Sequence, residues 1–146
     1  MSYLTVEEAE LIIAERLQTE PWDVASYADK NRALIQASKR VDRLSYIGEK
    51  TVSTQEHAFP RGVATTVPDD ILEAVVILAI AFLDGVSVDN EANNVTIVSQ
   101  KISTVTTTYN RNVVPEWLSA LIPSAEAWSL LRPYLRDLCQ LNIVRV

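Results

Sequence analysis

The apolar run AVVILAIAFL, residues 74 to 83, restricts the fold of this 146-residue chain more than any other feature. Its length is about half of what a membrane-spanning helix needs, and acidic residues flank it on both sides. Pro68 before two aspartates is typical of a helix start, whereas Asp84 and Gly85 are typical of a helix end. We therefore predict a buried central helix over about 69 to 84. The residues that we expect to face the core are Ile71, Val75, Leu78 and Phe82.

Shorter amphipathic patterns predict the helices around it. Thr5 and Glu8 have capping-box spacing, and apolar residues at helical spacing continue to Leu17, which predicts a helix over about 5 to 18. Further helices are predicted in SYADKNRALIQASKRVDRL, around 116 to 121, and over 124 to 138 with an interruption at Pro133. The predicted fold is mainly α, a small bundle of three to five helices. One domain, 1 to 146, has its helical core in about 5 to 85 and 114 to 138.

Residues 45 to 68 contain turn residues without sustained periodicity, which indicates a long ordered loop. We expect Tyr46, Ile47 and Phe59 to hold it down. Phe59, Pro60 and Arg61 form its predicted anchor, in which Arg61 hydrogen-bonds carbonyls or a carboxylate instead of contacting DNA.

The segment VTIVSQKISTVTTTY, 95 to 109, is rich in β-branched residues and predicts an extended β arm. Its sequence leaves open whether the arm is one strand or a hairpin. In a single strand without a bulge, one face would contain Val95, Ile97, Val105 and Tyr109. We expect that face to pack against another subunit. The apolar C-terminal tail, 139 to 146, is also extended. Its predicted docking residues are Leu141, Ile143 and Val144.

The charges favour pairing between helices over binding of nucleic acid. The first helix is acidic, whereas the second carries Arg32, Lys39, Arg40 and Arg43. One cationic helix in a chain of net charge −6 is a weak electrostatic footprint for phosphates. Direct phosphate binding by this helix is the less favoured alternative.

Catalytic and metal-binding side chains are sparse. His57 is the only histidine, and Cys139 is the only cysteine, so no intrachain disulfide is possible. The three glycines are isolated and form no phosphate-binding loop. We predict no enzyme activity, no metal and no cofactor, and we interpret His57 as a surface or loop-packing residue.

The order of several segments resembles the head-tail connector (adaptor) proteins of tailed bacteriophages. These segments are TVEEAE, PWDVAS, KNRALIQASKRVDRL, AFPRGV, VPDDILEAVVILAIAFLDG, the Ser/Thr-rich arm and LLRPYL. The resemblance covers residues 5 to about 136, and FPRG and VPDDI are its most specific parts. Relatives of this kind also carry the label of putative DnaT-like single-stranded DNA-binding proteins.

The resemblance implies a structural virion protein, made in the host cytoplasm and located in the neck at the capsid vertex. Such adaptors form homo-oligomeric rings, commonly of twelve copies, beneath the portal protein. The ring extends the channel for double-stranded DNA without reading its sequence, helps to retain packaged DNA during genome packaging until DNA ejection, and docks the next neck or tail-completion protein. The β arm would then pair between subunits, and the tail would dock on the portal or a neighbour. No membrane partner is expected.

The alternative function is that of a single-stranded DNA-binding replication accessory protein. Its candidate stacking platforms are Trp22, Trp117, Trp128 and Tyr109. Tryptophans scattered through helical segments also serve as core or interface residues. The aromatic residues alone therefore leave both functions open.

Overall fold

The structure is a computed structural model that describes residues 1–87, 99–102, 105–108 and 115–136. Six α-helices, one 3₁₀ helix and one β-hairpin lie within these residues. The helices are α1 (Val6–Ile13), α2 (Glu20–Asp23), α3 (Tyr27–Asp42), α4 (Asp69–Leu83), α5 (Glu116–Ser119) and α6 (Ala125–Leu131), followed by the 3₁₀ helix Arg132–Tyr134. Outside the described residues lie the predicted arm residues Val95, Ile97 and Tyr109, the tail residues Leu141, Ile143 and Val144, and Cys139.

The mainly helical fold is confirmed, with α4 at its centre. Seven residues of α4 are buried, namely Ile71, Ala74, Val75, Val76, Ile77, Leu78 and Ala79. α4 packs chiefly against α3 and α6, which cover it from two sides. Phe82, expected to face the core, is half-buried at its margin. An apolar stripe this wide explains why α4 is central, since no single neighbour could cover it.

The predicted extension of α1 to residue 18 is wrong. The capping box at Thr5 and Glu8 is present, but the helix ends at Ile13 and the chain tightens into short turns. Gln18 then has a φ of 60°, the left-handed conformation that reverses the chain. Leu17, placed on the apolar face by its spacing, is 90% exposed as a result.

Glu20, Pro21 and Trp22 belong to the one-turn helix α2. Pro21 lies in its first turn, where the missing N–H costs no hydrogen bond. The turn inserts Trp22 into the core with 1% of its surface exposed.

The arm forms a hairpin over the part that the structure describes. Strand β1 (Ser99–Ile102) pairs antiparallel with β2 (Val105–Thr108), with Ser99 opposite Thr108 and Ile102 opposite Val105. A single uninterrupted strand is therefore excluded for these residues. None of the helices described is both long and apolar enough to cross a membrane.

Candidate nucleic-acid interface

A cluster of polar side chains around Asp42 fixes the long loop to the end of α3. We call Tyr3, Asp42, His57 and the Ala58 amide the Asp42 cluster. One carboxylate oxygen of Asp42 accepts from the Tyr3 hydroxyl at 2.5 Å and from the Ala58 N–H at 2.8 Å. The other oxygen lies 2.7 Å from Nδ1 of His57, whose ring stacks on Tyr3 at 4.2 Å. Both contacts of His57 join the loop to distant parts of the chain, so His57 is a loop-packing residue.

Arg61 holds the other half of the loop through backbone carbonyls. Its guanidinium donates to Ile47 at 3.0 Å and to Ala58 at 3.1 Å, and also to the carbonyls of Tyr46 and Gly48. Its Cζ lies 5.8 Å from the centroid of the Tyr46 ring. The buried Phe59 packs edge-on against Tyr46 and Tyr134. Arg61 is thus directed into the loop, where backbone carbonyls accept from its guanidinium.

Two tyrosines beside these contacts have a raised pKa. Burial, together with the hydrogen bond and negative charge of Asp42, raises the pKa of Tyr3 well above the usual value. Burial also raises the pKa of Tyr46, whose hydroxyl donates to the Val41 carbonyl at 2.8 Å. Both hydroxyls therefore keep their protons at neutral pH and act as hydrogen-bond donors within the fold.

A second region, on the surface between α3, α5 and α6, combines an aromatic ring with several cations. Two adjoining concavities of about 450 and 960 Å³ share Trp128 and Arg132. We call this surface the Trp128 groove. Its lining includes Arg43, Glu116, Trp128, Arg132, Leu135 and Arg136.

Helical spacing places the aromatic ring and one cation of the groove together. Trp128 and Arg132 are four residues apart, on one face of α6 and the turn that follows it. Trp128 is half-buried and packs against the core, so its ring is held in place while part of it stays accessible. Glu116, at the start of α5, accepts from Nε of Arg132 at 3.2 Å.

A short backbone pairing brings the other two arginines to the groove. Tyr46 bridges Leu135, and the N–H of Arg136 donates to the Ser45 carbonyl at 2.9 Å. This pairing sets Arg136 beside the end of α3, where Arg43 lies. Both arginines are exposed, and neither forms an ion pair with any carboxylate in the part of the chain described.

The aromatic residues that the sequence predicts as stacking platforms differ in their accessibility. Trp22 is buried, with Lys30 5.3 Å above its ring, so no base could reach it. Trp117 is half-buried and does not line the groove, and Tyr109 lies outside the described residues. Trp128 is the candidate that combines accessibility with nearby cations.

Different cations of the basic helix α3 contact the acidic helix α1 and line the Trp128 groove. Lys30 of α3 pairs with Glu10 of α1 at 3.1 Å, and Tyr27 donates to Glu7, so the acidic and basic helices do contact each other. Arg43, at the opposite end of α3, is directed to the groove instead.

Sequence reasoning missed the convergence of Arg43, Arg132 and Arg136. The available signal was WSLLRPYLR, in which an aromatic residue and two arginines recur every four residues. The contribution of Arg43 depends on a contact between distant segments, which no local pattern predicts.

Comparison with known families gives one match. A family model described as "Putative DnaT-like ssDNA binding protein" matches residues 1–146, the whole chain. Neither the curated proteins nor the solved structures contain a match. The match agrees with the second of the two labels that the resemblance carried, and no comparison supports the head-tail connector label.

Proposed function

This chain belongs to the family of putative DnaT-like ssDNA binding proteins, and on that basis we propose that it binds single-stranded DNA in the Trp128 groove. The observation that carries the proposal is the position of Trp128 among Arg43, Arg132 and Arg136. On this proposal the protein binds DNA without catalysing a reaction.

The groove offers the two contacts that sequence-independent binding of a single strand requires. An unpaired base can stack on an accessible indole, which contributes about 1–3 kcal/mol per base in proteins of this kind. Arginines can donate two hydrogen bonds to one phosphate in a fixed geometry. Because Trp128 and Arg132 share one face, a single nucleotide could use both contacts at once.

The overall charge limits the length of the site. A net charge of −6 repels DNA from most of the surface, so attraction is confined to the local excess of arginine at the groove. We therefore expect a short site with modest affinity. The affinity should fall steeply with salt, as it does wherever phosphates release counterions.

Titration of a fluorescently labelled oligo-dT at low salt tests the proposal. We expect Trp128→Leu, which keeps an apolar side chain but removes the stacking surface, to weaken binding about tenfold. Trp128→Phe should retain part of the affinity, because a phenyl ring still stacks. Trp117→Leu is the matched control, since Trp117 does not line the groove. Equal affinities for the Trp128→Leu and native proteins would contradict the proposal.

The β-hairpin favours a second candidate function, that of the ring-forming neck adaptor. Among the described residues β1 pairs only with β2. A two-stranded hairpin is marginally stable alone and has two edges, which pairing with strands of neighbouring copies would cover. A closed ring supplies such a neighbour at every position. On this candidate the partners are other copies, the portal, a downstream neck protein and DNA passing through the virion channel.

The mass of the assembled species tests the adaptor candidate. Replacing Ile102 and Val105, which the hairpin register places opposite each other, with Asp should block assembly while the helical circular dichroism signal stays unchanged. Normal rings from the double variant would contradict this candidate. Electron microscopy of the native protein mixed with portal complexes would show whether the ring joins the portal.

A further inference from the structure

One carboxylate lies among the cations of the Trp128 groove. Glu116 is the only acidic residue among the described residues that line it. Its Oε2 accepts from Nε of Arg132 at 3.2 Å, with 64% of the Glu116 side chain and 43% of the Arg132 side chain exposed. The negative charge thus stands where a phosphate would approach Arg132.

We infer that Glu116 competes with DNA phosphates for Arg132 and so limits the affinity of the groove, an inference that rests on the proposed DNA-binding function. A carboxylate and a phosphate are both anions that satisfy guanidinium donors, so each weakens the attraction of Arg132 for the other. Glu116 is the first residue of α5, so its backbone stays beside the groove when the side chain rotates away from Arg132.

The competition is reversible because the pair is weak. An exposed ion pair contributes little to folding, so a phosphate can displace the carboxylate without disturbing the helices. In the part of the chain described, Nε is the only guanidinium nitrogen of Arg132 with a hydrogen-bond partner. The two terminal nitrogens keep their donors for a ligand, and displacement of Glu116 would add the third.

Anisotropy titrations of labelled oligo-dT over a range of salt concentrations test this inference. Glu116→Gln removes the charge but keeps an oxygen that can accept from Nε. We expect it to tighten binding about twofold to fivefold at low salt, the size of one exposed charge interaction. If Arg132 then neutralises one more phosphate, the slope of log K against log salt steepens by about 0.7.

Two further variants make the result specific. Glu126→Gln produces the same change of net charge, but the Glu126 carboxylate pairs with Arg16 at 2.7 Å and does not line the groove, so we expect unchanged affinity. Glu116→Ala should tighten binding as Glu116→Gln does. If Glu116 instead positioned Arg132, the alanine variant would bind more weakly than the native protein, and the inference would be wrong.

The outcomes also separate this inference from the proposed function. Equal tightening by Glu116→Gln and Glu126→Gln would overturn the inference, because only net charge would then matter, yet the native protein would still bind DNA. Absence of binding by the native protein and all variants would overturn the proposed function, and the inference with it.

Discussion

Arg61 and Arg136 contact the same short segment, residues 45–48, but use their guanidinium groups differently. Arg61 donates to three successive carbonyls, those of Tyr46, Ile47 and Gly48. Arg136 contacts the segment only through its backbone N–H, which donates to Ser45. Its guanidinium has no ion-pair partner among the described residues. The first arginine is occupied by the fold, and the second is available to a ligand.

The polar groups of the Asp42 cluster and of the Trp128 groove differ in the same way. In the cluster, every polar contact joins two parts of the chain that are distant in sequence, such as Tyr3 with Asp42. In the groove, charged groups outnumber their partners and remain exposed. Satisfied polar groups indicate a structural role, whereas unsatisfied ones of a single sign indicate a binding surface. Substitutions in the cluster should therefore change stability, whereas substitutions in the groove should change DNA binding.

The largest effect is expected from Asp42→Ala. It leaves the Tyr3 hydroxyl, the Ala58 amide and His57 without their shared acceptor, which should lower the free energy of unfolding by about 2–4 kcal/mol. Urea denaturation measures the loss. Asp42→Asn, which keeps one acceptor oxygen, should lose about half as much. Unchanged stability of the alanine variant would show that the cluster does not fix the loop.

Arg61→Ala should destabilise the protein by about 2 kcal/mol, because several loop carbonyls lose a charged donor. Arg136→Ala, measured in parallel, should change the midpoint of denaturation very little, since its exposed side chain forms no ion pair within the described residues. If the two variants lost the same stability, the division between occupied and available arginines would fail.

A smaller effect is expected from alkaline pH. Burial raises the pKa of Tyr46 above the usual tyrosine value of about 10, and burial together with Asp42 does the same for Tyr3. A raised folded-state pKa gives stability that is complete below the unfolded-state pKa and is lost as pH rises above it. Stability should therefore be constant from neutral pH to about pH 10 and then fall by at most about 1.4 kcal/mol per pH unit for each tyrosine.

Denaturation midpoints between pH 8 and pH 11 provide the measurement. Tyr46→Phe should flatten the alkaline decline, because phenylalanine has no proton to lose. Tyr27→Phe should flatten the decline less, because the hydrogen bond to Glu7 raises the pKa of Tyr27 at an exposed position outside the cluster. A decline of equal steepness in the native and Tyr46→Phe proteins would show that other groups control alkaline stability.

The sequence predicted the core well and the groove poorly, for physical reasons. The long apolar run of α4 and the proline and two aspartates before it are local signals, and the helix begins where those signals place it. The end of α1 was missed because residues 14–17, AERL, are good helix formers and contain no glycine or proline that would predict an end at Ile13. The Asp42 cluster and the groove depend on contacts between residues far apart in sequence, such as Tyr46 with Leu135. Tertiary packing determines those contacts, and the hydrophobic periodicity of the sequence does not predict them.

The smallest effect is the one that we expect from Arg136→Ala on DNA binding. It tests whether the available arginine of the groove contacts a phosphate. Removing one exposed phosphate contact should weaken oligo-dT binding only a fewfold at low salt and reduce the salt slope by about 0.7. Arg32→Ala is the matched control, because Arg32 is equally a surface arginine of the bundle but pairs with Asp29 outside the groove. Its slope should stay unchanged, since a phosphate has no stacking surface nearby to hold it there. Equal reductions for both variants would mean that DNA contacts cations over the whole surface, and that the Trp128 groove is not the binding site.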